Sequence, residues 1–280
     1  MPYSIVKMVK KVKYLNKYFR MLKLGLQNAM EYRANFLLSI VSAIFPMVIQ
    51  IFMWTAIYKN NKHLTIFGYT YAQMITYSIF AAIISKLVAT GVEWEVANDI
   101  RDGGLNKFIV QPISYFLYRI CCFMGQKVVQ LIIFIILLIV IFAVIKFNFS
   151  LAIVPLKIIL FIIAIILAMG LNLLIAFCVS IIAFWITEAW AMFMIINLLI
   201  NVASGGVFPL DIFGDRVLQA VNLLPFKYII YFPISIINGK IGYSEIIYGV
   251  VIQIGWIILL TIIARSVWSI GMKRYVAVGG

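Results

Sequence analysis

The chain has 280 residues, of which 65% are hydrophobic and 11% charged, with a mean hydropathy of +1.10 and a formal net charge of +14. Soluble domains carry about 25% charged residues, so the composition excludes a water-soluble fold and predicts an all-α integral membrane protein. Val128 to Ile145 and Ile158 to Thr187 are free of charge, as a membrane helix requires when a central charge costs about 2.5–3.5 kcal/mol; alternating barrel strands read differently.

In chain order, residues 1–30 place Ile5, Met8, Val12, Leu15, Phe19, Leu22 and Leu26 at three-four spacing, with Lys7, Lys10, Lys13, Lys17 and Arg20 opposite. This pattern predicts an amphipathic helix lying in the membrane interface. A cleavable signal peptide would have an apolar core directly after its first charges; a transit peptide stays open because no acid precedes Glu31, although the segment is Lys-rich rather than Arg- and Ser-rich. Six apolar segments follow, each near the roughly 20 residues of a membrane helix. They fall near 34–58, 64–85, 119–145, 158–183, 189–208 and 246–264. Gly170, Ala176 and Ser180 are small residues at which helices can approach closely.

The basic residues orient these spans, because cytoplasmic loops carry the excess. Lys7, Lys10, Lys11, Lys13, Lys17, Arg20, Lys23 and Arg33, with Arg101, Lys107, Arg119, Lys127, Arg265, Lys273 and Arg274, fall on one side. Lys59, Lys62, Lys146, Lys157, Arg216, Lys227 and Lys240 fall on the other, and Lys86 sits at a span end. Both termini are therefore expected in the cytoplasm, and the positive charge is expected to serve topology and anionic lipid, with no nucleic acid partner.

Between the second and third spans, residues 92–114 form a polar island with Glu93, Glu95, Asp99 and Asp102, four of the nine acidic residues. Val92, Val96 and Ile100 recur every four residues beside Glu95, Asp99 and Asp102, which predicts a short amphipathic helix ending at Gly103-Gly104. A second short helix, Leu105 to Val110, is expected to stop before Pro112, with Ser114 capping the third span. A structured element of this length reads as a contact with another protein; a plain solvated turn is the alternative.

Further on, Glu188 in Thr187-Glu-Ala-Trp190 is the one credible ionisable residue for proton or sodium coupling, or else a hydrated turn that Thr187 caps. Residues 205–240 stay apolar but are broken by Pro209, Pro225 and Pro233 and by Asp211, Asp215, Arg216 and Lys227. Such backbone at membrane depth survives only when packed in protein or lining a cavity, so short re-entrant or interfacial helices are expected before the last span; an ordinary extracellular loop is the alternative. Phe52, Trp54, Tyr77 and Phe80 are candidates to line a translocation path, although core aromatic residues look the same.

Several chemistries are missing from the sequence. No G-x-x-x-x-G-K-[ST] segment exists, and Gly103 to Lys107 does not fit one, so no ATP-phosphate cradle is expected. Paired spans with broken helices, the mark of secondary transporters, are not evident. No His-carboxylate or Ser-base arrangement suits an intramembrane protease. His63 has no acidic or thiol neighbour, and Cys121, Cys122 and Cys178 suggest neither a disulfide framework nor a metal site. No catalytic residue and no bound cofactor or metal are therefore expected in this chain.

Met30-Glu-Tyr-Arg-Ala-Asn-Phe36, Trp54, Asp99-Ile-Arg-Asp-Gly103 with Leu105, Gln111-Pro112 and Ser204-Gly-Gly-Val-Phe-Pro209 occur in an informative order. Leu224-Pro-Phe226, Tyr231-Phe-Pro233, Asn238-Gly239 and Arg274-Tyr-Val-Ala-Val-Gly-Gly280 extend it over nearly the whole length. This order resembles the permease subunits of type-2 ATP-binding-cassette (ABC) exporters, in the six-span branch. The resemblance implies one membrane domain over 1–280, paired with an identical or sister permease. It also implies two separately encoded ATPase subunits that hold ATP and Mg. By that resemblance residues 1–30 are a connecting helix, 92–114 the coupling element, and the helices before the last span an outer closure. Val96, Asp99, Ile100, Arg101, Asp102 and Gly103 are the expected coupling residues, with Val96 and Ile100 as the anchor in the ATPase cleft; Asn106-Lys107 departs from the pattern. The expected function is export of an amphipathic, peptide, drug-like or lipid-like compound across a bacterial plasma membrane. A secondary carrier or channel, or a membrane scaffold, is the alternative.

Overall fold

The apolar runs fold into helices in a computed structural model that describes the backbone of residues 3–31, 33–61, 64–111, 113–148, 155–186 and 188–275. Side chains are described for 16–31, 38, 41–61, 64–111, 113–136, 156–186, 188–214 and 216–275. In chain order the elements are α1 (Tyr3–Glu31), α2 (Arg33–Lys59), β1 (Thr65–Ile66), β2 (Tyr69–Thr70), α3 (Tyr71–Val88), α4 (Val92–Arg101), α5 (Asn106–Ile109), α6 (Tyr115–Asn148), α7 (Pro155–Ser180), α8 (Trp190–Ala203), α9 (Asp215–Asn222), α10 (Tyr231–Ile237) and α11 (Tyr243–Met272). Single 3-10 turns cover Ile181–Phe184, Leu210–Phe213 and Phe226–Tyr228.

Among the described residues five helices are long and apolar enough to cross a membrane: Val41–Lys59, Tyr71–Arg101, Tyr115–Ile136, Leu156–Phe184 and Tyr243–Met272. The fifth expected span, 189–208, is represented by α8, which has only 14 residues. The second begins later than its apolar composition suggested. Residues 65–70 form a two-stranded hairpin, with Phe67 (φ 52) and Gly68 (φ 72) both left-handed at its turn, the geometry that two-residue hairpin loops favour. Thr70 and Gln73 then start α3 with a reciprocal capping box. His63, Pro112, Thr187 and residues 276–280 lie outside the described residues, as do the side chains of Ile5, Met8, Val12 and Leu15.

The elements group into two compact units. In the first, residues 1–38, 102–150 and 277–280, α1 packs along α6. Their backbones meet at Gly25 and Gly125: a Cβ on Gly25 would collide with the Cys122 carbonyl, and one on Gly125 with that of Leu22. Met21 and Cys122 are buried beside this crossing. The packed face thus runs through Met21 and Gly25, not through the whole expected apolar stripe; Phe19 of that stripe is 69% exposed. Small residues win here because helix axes can approach only where no side chain intervenes.

The second unit, residues 39–101 and 151–276, is built around α7. This helix is apolar on every side and contacts α3, α4, α10 and α11, as expected of a helix buried in protein. Phe161, Ala164, Ile165, Ala168 and Leu171 are fully covered. Gln253 of α11 is also buried, and its amide donates to the carbonyls of Ala164 and Tyr228 at 3.0 and 2.9 Å. Gly249 sits tight on the Phe232 ring and Gly271 on the Phe184 ring, whereas at Gly170 a Cβ would meet only ordinary contact at 3.9 Å.

Candidate functional site

The ten residues of α4 follow the expected helix, and Gly103 (φ 74) takes the left-handed conformation expected past its end. What differs is the destination of its apolar face. Val92, Val96 and Ile100 are 3%, 0% and 7% exposed, because α4 packs on α7 and on the 3-10 turn Ile181–Phe184 of this same chain. Trp94 adds an edge-to-face contact with Phe193 at 5.3 Å. Val96 and Ile100, expected as anchors in a partner's cleft, are covered here by residues of this same chain. The exposed edge of α4 carries Asn98 and Arg101, whose guanidinium donates to the Asn98 side chain at 3.3 Å, with Asp99 half-buried beside them.

The first unit holds the continuation. Asp102 is exposed, and α5 replaces the slightly longer Leu105–Val110 helix expected. Phe108 of α5 stacks against Tyr115 and Tyr118 at 4.9 and 4.8 Å, while Arg119 lies over both tyrosine rings. Ile109, Val110 and Gln111 remain exposed.

Three of the four candidate path residues are packed. Tyr77 and Phe80 are each 1% exposed and Trp54 4%, whereas Phe52 is 71% exposed. Tyr77 donates to the Gly205 carbonyl at 2.6 Å, Phe80 sits edge-on to Phe161, and Trp54 edge-on to Phe208. Trp54 and Tyr77 tie α2 and α3 to the segment after α8, and Phe80 ties α3 to α7. Glu188 is exposed in the turn before α8, outside the helices that a proton pathway would have to follow.

Open space lies elsewhere in the second unit. A pocket of about 430 Å³ is lined by Ser85, Lys86, Glu93, Trp94, Asn172 and Asn197, among others, with Ser204, Ile229 and Ile230 on a further wall. Glu93, in the first turn of α4, is 4% exposed and accepts from Thr90 at 3.1 Å and Asn197 at 2.9 Å. Asn172 donates to the Val88 carbonyl at 2.8 Å, satisfying one of the groups orphaned at the end of α3. The island's acidity marked Glu93, but not its partners: Asn197 lies 104 positions away.

A second polar cluster gathers on the segment between α8 and α11. Asp211 accepts from Tyr69 at 2.6 Å and from Tyr231 at 2.9 Å, and pairs with Lys240 at 3.4 Å. Lys240 also lies 3.3 Å from the Tyr69 ring centre. Burial first, and then the neighbouring Tyr231 and Asp211, push the Tyr69 hydroxyl far above its ordinary range; burial and Asp211 raise Tyr231 likewise. Burial lowers Lys240, against the opposing pull of Asp211. Gln73 and Asn238 exchange side-chain to backbone bonds at 3.1 and 3.3 Å, joining the start of α3 to the end of α10.

The sequence profile of ABC-2 family transporter proteins matches residues 44–279, a stretch that takes in α4, the pocket and the Asp211 cluster. This chain belongs to the ABC-2 transporter family. It is therefore a multi-pass membrane protein and an ABC transporter permease, and membership implies association with an ABC ATPase. Neither a curated protein nor a solved structure matches this ABC-2 permease. ABC-2 permeases are generally non-catalytic membrane subunits.

Proposed function

We propose that this chain is the six-span permease subunit of an ATP-driven exporter that carries an amphipathic, peptide, drug-like or lipid-like compound out of a bacterial cell. Two separately made ATPase subunits hold ATP and Mg on its cytoplasmic face, and a second permease, identical or homologous, completes the membrane core. In this reading α2, α3, α6, α7, α8 and α11 are the crossings and both termini are cytoplasmic, in keeping with the basic-residue bias. The 14 residues of α8 reach about 21 Å, short of the roughly 30 Å hydrocarbon core, so the Ser204–Pro209 turn completes that crossing. The short helices between Leu210 and Ile237 then close the outer side, and α1 lies along the inner interface.

The observation that carries the coupling assignment is the construction of α4. A ten-residue helix is held through its apolar face by the protein's own core, and it turns a charged edge outward. Such a helix transmits force as a rigid body, provided that the ATPase contacts it differently with and without ATP. Asp99, Arg101 and Asp102 make that contact, while Val96, Ile100 and the turn at Gly103 hold the helix in place. Exposed Glu188 gives a secondary carrier little support.

The test is the double variant Arg101→Glu, Asp102→Lys in the assembled transporter. Both side chains are exposed, so the permease is expected to fold and elute as the parent does, while ATP-driven flux falls with weaker ATPase capture. Unchanged capture and unchanged flux would remove α4 from the coupling role.

A further inference from the structure

Glu93 is the buried acid that the coupling role does not use. It lines the pocket, about 12 Å along the helix from Arg101 at 1.5 Å per residue. A carboxylate offers about four acceptor positions, and Thr90 and Asn197 occupy two. The positive end of the α4 dipole favours the acid in this first turn, but among the described residues no cation comes within ion-pair distance of it.

The same pocket has a cation in the same condition. Lys86, in the last turn of α3, lines it and donates to the Ser42 hydroxyl at 3.3 Å. Among the described residues no carboxylate pairs with it. The Ser85 hydroxyl, which also lines the pocket, is buried without a partner among the described residues. Around these polar groups stand Val88, Trp94, Ile200, Ile229 and Ile230, a wall for hydrocarbon. The volume lies within the roughly 300–1,000 Å³ of small-molecule pockets.

We infer that this pocket binds the zwitterionic headgroup of an amphiphile, its ammonium on Glu93 and its anionic group on Lys86, with the start of the hydrocarbon chain against Trp94 and Ile230. The pocket offers one acid and one base, each lacking an opposite charge among the described residues, and an unmet hydroxyl between apolar walls. A ligand of one charge alone leaves one of the two unmatched. This inference rests on the permease reading and deepens it, since the acid that receives the ammonium and the edge that faces the ATPase belong to one ten-residue helix. Occupancy of the pocket thereby bears directly on the coupling element.

Binding of tail-labelled lysophosphatidylethanolamine, alkylammonium and alkyl phosphate to the full chain tests this without ATP. The nanodiscs should contain phosphatidylglycerol only, which has no ammonium group. The zwitterion is expected to bind the parent at least about tenfold more tightly than either single-charge probe. Glu93→Gln should abolish the zwitterion's advantage over alkyl phosphate while leaving alkyl phosphate binding unaffected, and Lys86→Gln should abolish its advantage over alkylammonium while leaving alkylammonium binding unaffected. Equal binding of all three probes to the parent, a preference over alkyl phosphate that survives Glu93→Gln, or a preference over alkylammonium that survives Lys86→Gln would overturn the inference. Should Glu93→Gln not fold, the exposed Lys86→Gln decides alone. Because no step needs ATP, loss of the preference in the variants together with absent ATP-driven flux would defeat the permease reading and leave the pocket standing.

Discussion

Asp211→Ala separates a held segment from a loop that merely lies over the protein. The carboxylate accepts from Tyr69 and Tyr231 and pairs with Lys240, linking the β1–β2 hairpin to α10 and to the turn before α11. Tyr69 is 0% exposed and Tyr231 9%, so alanine leaves two covered hydroxyls without their acceptor. An unsatisfied buried group costs about 1–3 kcal/mol, which gives about 2–6 kcal/mol for the pair. The Lys240 side chain is 19% exposed and that of Asp211 22%, and the ion pair adds at most about 1 kcal/mol. Thermal inactivation half-life in detergent is the suitable readout, because membrane proteins commonly unfold irreversibly. The variant should inactivate markedly faster, and Asp211→Asn, which keeps one acceptor oxygen, should fall between it and the parent. An Asp211→Ala protein with the parent's half-life would refute the reasoning and mark residues 205–240 as a loosely held loop.

Two other outcomes follow from the geometry. Gly25→Leu should force α1 off α6, since even a Cβ at that position collides with the Cys122 carbonyl; protease sensitivity of α1 should rise, and an unchanged digestion pattern would contradict the close crossing. Tyr69 and Tyr231 have folded-state pKa values raised above the unfolded value of about 10. Their protonated forms therefore contribute stability that is complete below pH 10 and is lost as pH rises toward the folded values. Phenolate absorbance and inactivation should climb together above pH 10 in the parent, and Tyr69→Phe with Tyr231→Phe should flatten that dependence.

The helices were legible wherever local chemistry decides them. Charge-free runs announced α6 and α7, and four-residue spacing with a Gly-Gly stop gave α4 nearly to the residue. The Phe67-Gly68 turn was not legible, because the apolar composition of 64–85 hides a hairpin whose evidence is backbone conformation. Which way a helix face points was equally hidden. Val96 and Ile100 have the same spacing whether a partner covers them or α7 does, and Phe19 sits in a regular stripe although the contact chosen is the glycine crossing beside it. Trp54, Tyr77 and Phe80 show the same limit, since an aromatic residue in a span reads alike in a core and along a path. Both polar clusters join residues far apart in sequence, Glu93 to Asn197 and Tyr69 to Asp211, and periodicity carries no information about such pairs.

The central claim is that this permease moves its cargo only when a separate ATPase drives it. ATP hydrolysis and ATP-dependent flux should be measured in proteoliposomes holding this chain alone, the ATPase alone, and both. The account predicts hydrolysis only where the ATPase is present and flux only where both are. Hydrolysis by this chain alone, or flux that needs no ATP, would contradict it.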